Sequence, residues 1–593
     1  MSNLMTSFNA GVSGLHSAQT SLNVTAHNLA NAQTKGYTRQ QVLVTDSFYQ
    51  TSYGAHDNKL QIGTGTTISL TRQVRNTFLD SQYRLQVGRQ QFYEANSKAT
   101  MEIEDMLGEL HGSQFQTSIT DLWGALNEIA ADPSDIVKKD QLVMVATQFA
   151  ERAKVLQDQL STYQTSLNTE VKKQVDSIND IVSQVRELNM QIQKYEATGE
   201  SANDYRDKRN DLLDELGKYI RFETSEQSDG TVMIYSEGTF LLDAVNQYFL
   251  TTEYESKTSK LLKPIWATGE DFFLTDSLEY SSSNNTDVGG LRGLMVARGN
   301  HAATYLDIPQ KPEREDFADD DSYNRAMSQY KDDVEVYNKT IGSSIVMSVQ
   351  SQIDTLIHGI VTAVNDALCP NKEVEIQNED GSISTIKVLD DEKALVGDDV
   401  NKSVGVELFS RRGMERYTKE DVTLVNPDGT TTTKTVYRYN DEQPDNPSSM
   451  YTINQIMVNP VVAKDSSTLP TKYNEATGNK KGYAYNEWGA MALAFDNDIG
   501  TLNPNSMTTY TAKNFYTGII TELSTQGSVW NGIIENQNMA VTTLDNERQD
   551  VMGVSSEEEL SNLIKYQRCY DASSRYITTV SQMLEYLIER LGS

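Results

Sequence analysis

Apolar residues recur at every seventh position at both ends of this chain. Phe8, Leu15, Leu22 and Leu29 form one row, and Leu4, Gly11, Ala18 and Thr25 form the row beside it. This a/d-like spacing predicts a helix. Residues 555–593 repeat the device. Leu563, Tyr570, Ile577, Leu584 and Leu591 make one row, and Tyr566, Ser573, Val580 and Leu587 the other. Ser555 and Glu558 read as a capping box. The helix they open is about 35 residues long, or roughly 50 Å. Half of the first seam is small, and its outer faces are Ser, Thr, Asn and Gln. Little area is buried per turn, so such a helix is marginal alone in water. Two arrangements fit: the ends pair with each other, parallel or antiparallel, or each docks separately on the body.

A third seam lies at 161–198. Val171, Ile178, Val185 and Ile192 form one row; Leu167, Ile181, Leu188 and Tyr195 form the second, interrupted by Gln174. Gly199 ends it. Residues 204–220 follow as a helix with Leu212, Leu213, Leu216 and Ile220 on one face. Residues 72–110, 114–131, 138–160, 323–368 and about 488–545 also read as helical. The period switches to alternation at 222–243, 374–389 and 422–439. Asp229-Gly230, Asp380-Gly381 and Pro427-Asp428-Gly429 mark hairpin turns there. The order predicts a multidomain, mainly α fold with β inserts. The expected divisions are 1–65 (N-terminal helix and turn, grouped with 546–593), 66–221 (helical stalk, with about 286–370 and 486–545), 222–285 (β-rich insert), 371–485 (β-rich outer insert) and 546–593 (C-terminal helix).

With 593 residues, the chain is too long for one core. Its net charge of −32 argues against nucleic acid or an anionic membrane as main partner. Cys369 and Cys569 cannot make a disulfide framework, and both are expected free. No apolar run approaches the length of a transmembrane helix, and Met1–Phe8 carries no secretory signal pattern. Residues 1–45 contain no Asp or Glu; their only formal charges are Lys35 and Arg39. That pattern suits an end that packs against copies of itself or passes a narrow pore.

No catalytic set stands up, and no cofactor or metal is expected. His16, His27, His56, His111, His301 and His358 offer no metal-ligand spacing with a nearby carboxylate. The stretch 496–507 begins like a calcium loop with Asp496 and Asp498. It fails at Gly500 and Met507. The run "EDFADDD" (315–321) reads as a solvated acidic loop. No GxxxxGK[ST], GxSxG or HExxH occurs.

The stretch "LNVTAHNLANAQTKGYTRQ" (22–40) resembles the N-terminal signature of the flagellar rod, hook and hook-associated axial proteins, through Asn28, Asn31, Thr34, Gly36, Tyr37 and Arg39. The C-terminal "EEELSNLIKYQRCYDASSRYITTVSQMLEYLI" resembles the matching signature of the same group. The Gly-Tyr-Thr-Arg turn, "DYRDKRNDLLDEL" (204–216) and "GGLRGLMVARGN" (289–300) resemble the branch at the hook–filament junction. The resemblance implies that the terminal helices pair into a coiled-coil inner domain under a flagellin-like helical stalk. It implies a structural subunit, not an enzyme, exported by the flagellar type III system to the cell exterior. Implied partners are copies of itself in a helical ring, the hook protein, the second hook-associated junction protein, and an export chaperone on the C-terminal helix. Leu4, Phe8, Leu15, Leu22, Leu29, Leu563, Tyr570, Ile577, Leu584 and Leu591 are the expected assembly residues. The six signature residues are expected to shape the turn between inner domain and stalk. Two alternatives stay open: a hook or distal-rod subunit, and an axial protein carrying an enzymatic insert.

Overall fold

The computed structural model describes residues 2–34, 36–53, 59–108, 114–257, 259–274, 277–378, 381–425, 430–478, 480–506 and 508–591. Lys35, His56, His111, Asp380, Pro427-Asp428-Gly429 and Met507 lie outside them, as does the side chain of Leu591.

Helix α1 spans Ser2–Ala30. A long two-stranded ribbon follows: β1 (Gln40–Asp46) pairs antiparallel with β4 (Thr66–Gln73), and β2 (Tyr49–Tyr53) with β3 (Lys59–Gly63). The sequence pattern gave no warning of this ribbon. Its apolar residues Val42, Leu43 and Val44 are contiguous, so they do not alternate. The next helix therefore starts later than 72. Helix α2 runs Thr77–Leu107, capped by the Asn76 side chain, and ends at Gly108 in the left-handed region. Helices α3 (Gln114–Ala131), α4 (Ile136–Glu196) and α5 (Asn203–Tyr219) complete the first half of the stalk.

Along α4, Val171, Ile178, Val185 and Ile192 are fully buried, as their spacing predicts. The second row drifts. Val175, Val182 and Asn189 occupy the inner face, while Tyr195 is exposed. A helix of 3.6 residues per turn slips about 20° per heptad, in the sense of this drift.

Short antiparallel strands occupy 223–266. Helix α6 (Gly290–Arg298) is buried at every residue. Helix α7 spans Asp320–Lys339 and α8 spans Ile345–Leu368. The acidic run 315–321 is not all loop. Asp319 caps α7 by accepting from the Ser322 amide at 2.7 Å, and Asp320 and Asp321 fill its first turn, where the helix dipole favours them. The outer module holds a small barrel of two hairpins, 371–389 and 417–439, closed around Ile376, Ile386, Val388, Val422 and Val436. It also contains helix α9 (Pro460–Lys464).

Helix α10 (Tyr485–Ala494) returns to the stalk. A hairpin, 498–501 with 509–511, then breaks what the sequence suggested was continuous helix. Gly500 at φ 149° and Pro504 are incompatible with helix there. Helix α11 (Ala512–Met552) packs along α2, and α12 (Ser556–Leu591) closes the described chain. Its start agrees with the predicted cap, the Glu558 amide donating to Ser555 Oγ at 3.4 Å. The fold is mainly α with β inserts.

One apolar cluster runs through α2, α3, α4, α5, α6, α8, α10, α11 and the outer module, with Ile103, Leu122, Phe149, Val171, Ile353, Phe409 and Trp488 fully buried. Among the described residues, neither this cluster nor the two smaller ones takes a residue from α1, the ribbon or α12. The terminal pair stands outside the common core.

Candidate assembly interface

Helices α1 and α12 pack against each other antiparallel. Gly11 faces Ile577, Gly14 faces Ser573, and Asn28 reaches Glu559. The backbones come close. A Cβ on Gly11 would lie 2.8 Å from Ile577 Cγ1, and one on Gly14 would lie 3.2 Å from Ser573 Oγ. On α1 the deeply buried residues are Gly11, Ser17, Ala18, Ser21, Thr25 and Asn28. The predicted apolar row Leu4, Phe8, Leu15, Leu22 and Leu29 is only half-buried, and so are Leu563, Tyr570, Ile577 and Leu584 on α12. Small residues make the contact, and larger ones flank it. Other apolar side chains have no such cover: Leu560, Ile564, Met583, Tyr586 and Ile588 on α12 are each about half exposed or more. Sequence reasoning missed them because it tracked one stripe per helix.

The signature turn links this pair to the stalk. Asn28 uses all of its hydrogen-bonding capacity. Its Oδ1 accepts from the Tyr37 hydroxyl at 2.8 Å and the Gln40 amide at 3.0 Å; its Nδ2 donates to the Gln40 carbonyl at 2.9 Å and to Glu559 at 3.1 Å. Asn31 and Thr34 act locally: Asn31 Nδ2 donates to the His27 carbonyl, and Thr34 Oγ1 to Asn31 Oδ1. The Tyr37 oxygen also lies 2.9 Å from His27 Nδ1. Burial, then Asp204, Asp207 and Glu559, push the Tyr37 phenol well above its usual range. Gly36 takes φ 77° and sits against the Asp211 carboxylate, so a side chain there meets both strain and collision. Arg39 pairs with Glu558 at 3.1 Å and Glu559 at 3.0 Å, and its amide donates to the Met552 carbonyl at 2.8 Å.

The stretch 204–216 gains a concrete role. Asp207, nearly buried, accepts from the Thr38 amide at 3.1 Å and from Gln73 Nε2 at 2.6 Å. Burial pushes its carboxyl up to about 6, against the pull of those bonds. Asp204 accepts from Gln40 Nε2 at 3.2 Å, and Asn203 Nδ2 donates to the Thr71 carbonyl at 3.2 Å. The acid-free N-terminal segment is thus met by carboxylates supplied from elsewhere. Behind the turn lies a polar cleft of about 850 Å³, walled by Ala32–Thr34, Gly36 and Tyr37 on one side and by α4, α5 and α11 on the other.

Below the cleft, Arg548 of α11 lies 3.0 Å from Asp80 of α2 and 2.6 Å from Asp214 of α5, with its guanidinium 4.2 Å from the centre of the Tyr83 ring. Arg75 and Arg84 complete the lattice on Asp80 (2.5 Å) and Asp214 (2.7 Å). The stretch 289–300 is a packing device. A Cβ on Gly293 would lie 2.9 Å from Phe92 Cα, and fully buried Arg298 pairs with Glu255 at 3.0 Å. Both cysteines are free, Cys369 buried and Cys569 exposed. Among the described residues, no three His, Cys, Asp or Glu are placed to hold a metal ion, and no helix is long and apolar enough to cross a membrane.

Paired terminal helices joined by this turn to a helical stalk define a flagellar axial protein. Family models agree, matching residues 8–38 as flagella basal body rod protein and 550–590 as flagellar basal body rod FlgEFG protein C-terminal. A third model, the flagellar hook-associated protein FlgK helical domain, matches 100–368. Flagellar hook-associated protein 1 of Bacillus subtilis is 22% identical over 583 residues, covering 98% of this chain and 96% of its own length. The protein of that name from Salmonella typhimurium is 23% identical over 602 residues, covering 98% and 99%. The flagellar hook junction protein FlgK from Burkholderia pseudomallei shares the fold at a TM-score of 0.50 and 13% identity, over 80% of this chain and 100% of that one. Along nearly its whole length the chain is similar to the flagellar hook-associated protein 1 family.

Proposed function

We propose that the chain is a structural subunit joining hook to filament in the bacterial flagellum, and that it assembles into a helical tubular junction through its terminal helices. One observation carries this reading. The α1–α12 pair stands outside the common core, yet it presents Leu560, Ile564, Met583, Tyr586 and Ile588 to its surroundings. Exposed apolar side chains gathered on one helix in this way suit a protein interface. The half-buried seam, including Phe8, Leu15, Leu22, Leu29, Leu563, Tyr570, Ile577 and Leu584, holds the pair together. The exposed apolar side chains of α12 then meet neighbouring copies, whose head-to-tail contacts build a helical array without closing. The hook protein on one side, the second junction protein on the other, and an export chaperone on α12 are the further partners of this reading. Its place is the cell exterior, as part of the flagellum.

Electron microscopy of cells lacking the gene, with flagellin assayed in the medium, tests the proposal. Hooks without filaments and shed flagellin are expected. Intact filaments would refute it, and absent hooks would move the subunit down to the hook or distal rod. Met583→Asp with Tyr586→Asp should fold normally and still fail to restore filaments. Ile577→Asp should fail as well, while leaving a folded body.

A further inference from the structure

Among the described residues, the hydrogen bonds between the terminal pair with its ribbon and the stalk converge on the start of α5. No apolar cluster crosses the boundary among the described residues. The chain itself crosses at two short linkers, 74–76 between β4 and α2, and 553–555 between α11 and α12. Across the same boundary, Asp207 holds Thr38 and Gln73, Asp204 holds Gln40, Asn203 holds Thr71, and Gly36 rests on Asp211. The cleft of about 850 Å³ lies directly behind the turn, so the two bodies are not packed solid. A well-packed boundary would resist displacement; this one leaves room for it.

We propose that the first turns of α5 are the lock of a joint. Asn203, Asp204 and Asp207 fix the angle between the α1–α12 pair with its ribbon and the stalk. Releasing them lets that body pivot about 74–76 and 553–555 into or away from the cleft. Asp207 is the main positioning residue, because two donors from the moving body converge on its carboxylate. One of them, the amide of Thr38, is buried and has no other acceptor among its described contacts. The lock gives one fold a means of presenting its terminal helices at different angles to differently arranged neighbours.

The test uses the isolated full chain, so it can fail while the junction reading stands. Cys569 is exposed and Cys369 is buried, so a single native thiol on α12 takes a label. A second label at Glu151→Cys on exposed α4 gives a distance from pair to stalk. The wild type should show one narrow distance distribution. Asp207→Ala should broaden or shift it and speed exchange of the Thr38 amide by about tenfold, the loss of one hydrogen bond, with α1 and α12 still protected. Asp207→Asn, which keeps an acceptor for Thr38 but turns a donor toward Gln73, should narrow the distribution only in part. Gly36→Ala, which drives a methyl into Asp211, should broaden it independently. The proposal is overturned by a broad wild-type distribution or by an unchanged distribution in Asp207→Ala. It is also overturned by loss of protection throughout α1 and α12 in both variants, which would make these residues part of the fold rather than of a lock.

Discussion

The stalk and the terminal pair are written in the same heptad code and built in opposite ways. In the stalk, Ile103, Leu122, Phe149, Val171 and Ile178 are wholly buried in a cluster that draws on both halves of the chain. In the pair, the deepest positions of α1 are Gly11, Ser17, Ala18, Ser21, Thr25 and Asn28, and the leucines stay at the margin. Burying large side chains stabilises by about 1.5–3 kcal/mol each, and small polar ones add little. The stalk therefore carries the larger share of the apolar stabilisation. The pair is shaped for close approach and buries less apolar surface.

Four experiments press on this contrast. Phe149→Ala, which empties a site stacked on Phe115 at 5.8 Å and edge-on to Phe409 at 6.1 Å, should cost about 3–5 kcal/mol in denaturant unfolding. A loss below about 1 kcal/mol would mean that stalk and outer module do not share one core. Arg548→Met takes one cation from Asp80, which keeps Arg75, and one from Asp214, which keeps Arg84, and should cost about 1.5–3 kcal/mol.

The third experiment varies pH. Burial raises Asp354 to about 6, Glu407 to about 7 and Asp207 to about 6. The folded state then holds protons that the unfolded chain, titrating near 4, has released. Stability from these groups is fully present below about pH 4 and is lost as pH rises through 6–7. Thermal unfolding at pH 5.5 should therefore lie above that at pH 8, by about 1–3 kcal/mol in all. The reverse order would refute the burial of these carboxylates. The smallest effect is the most local. Gly11→Val should cost the pair about 1–3 kcal/mol by overpacking against Ile577, leaving the stalk's melting unchanged while amide protection along α12 falls.

Much of the architecture was legible because long helices repeat their signal. Val171, Ile178, Val185 and Ile192 read correctly for that reason, as did the cap at Ser555. Shorter elements failed where their chemistry was ambiguous. The ribbon carries three apolar residues in a row at Val42–Val44, and the 498–511 hairpin was absorbed into a helical expectation despite Gly500 and Pro504. The contact face of α1 was misjudged for a physical reason. Heptad counting ranks leucines first, whereas close helix approach selects glycine, alanine and serine. The roles of Asp204, Asp207 and Asp211 were invisible in sequence, since a carboxylate that grips a distant turn looks like any solvated one on a charged helix face. Only the lack of acid before Asp46 hinted that a complement was needed elsewhere.

The pairing of α1 with α12 also sets an order in time. Asn28 and Glu559, bonded at 3.1 Å, are 531 residues apart along the chain. A contact of such separation forms late, after the intervening loop has been closed by other structure. The opening helix therefore waits, without a partner, until the last helix arrives.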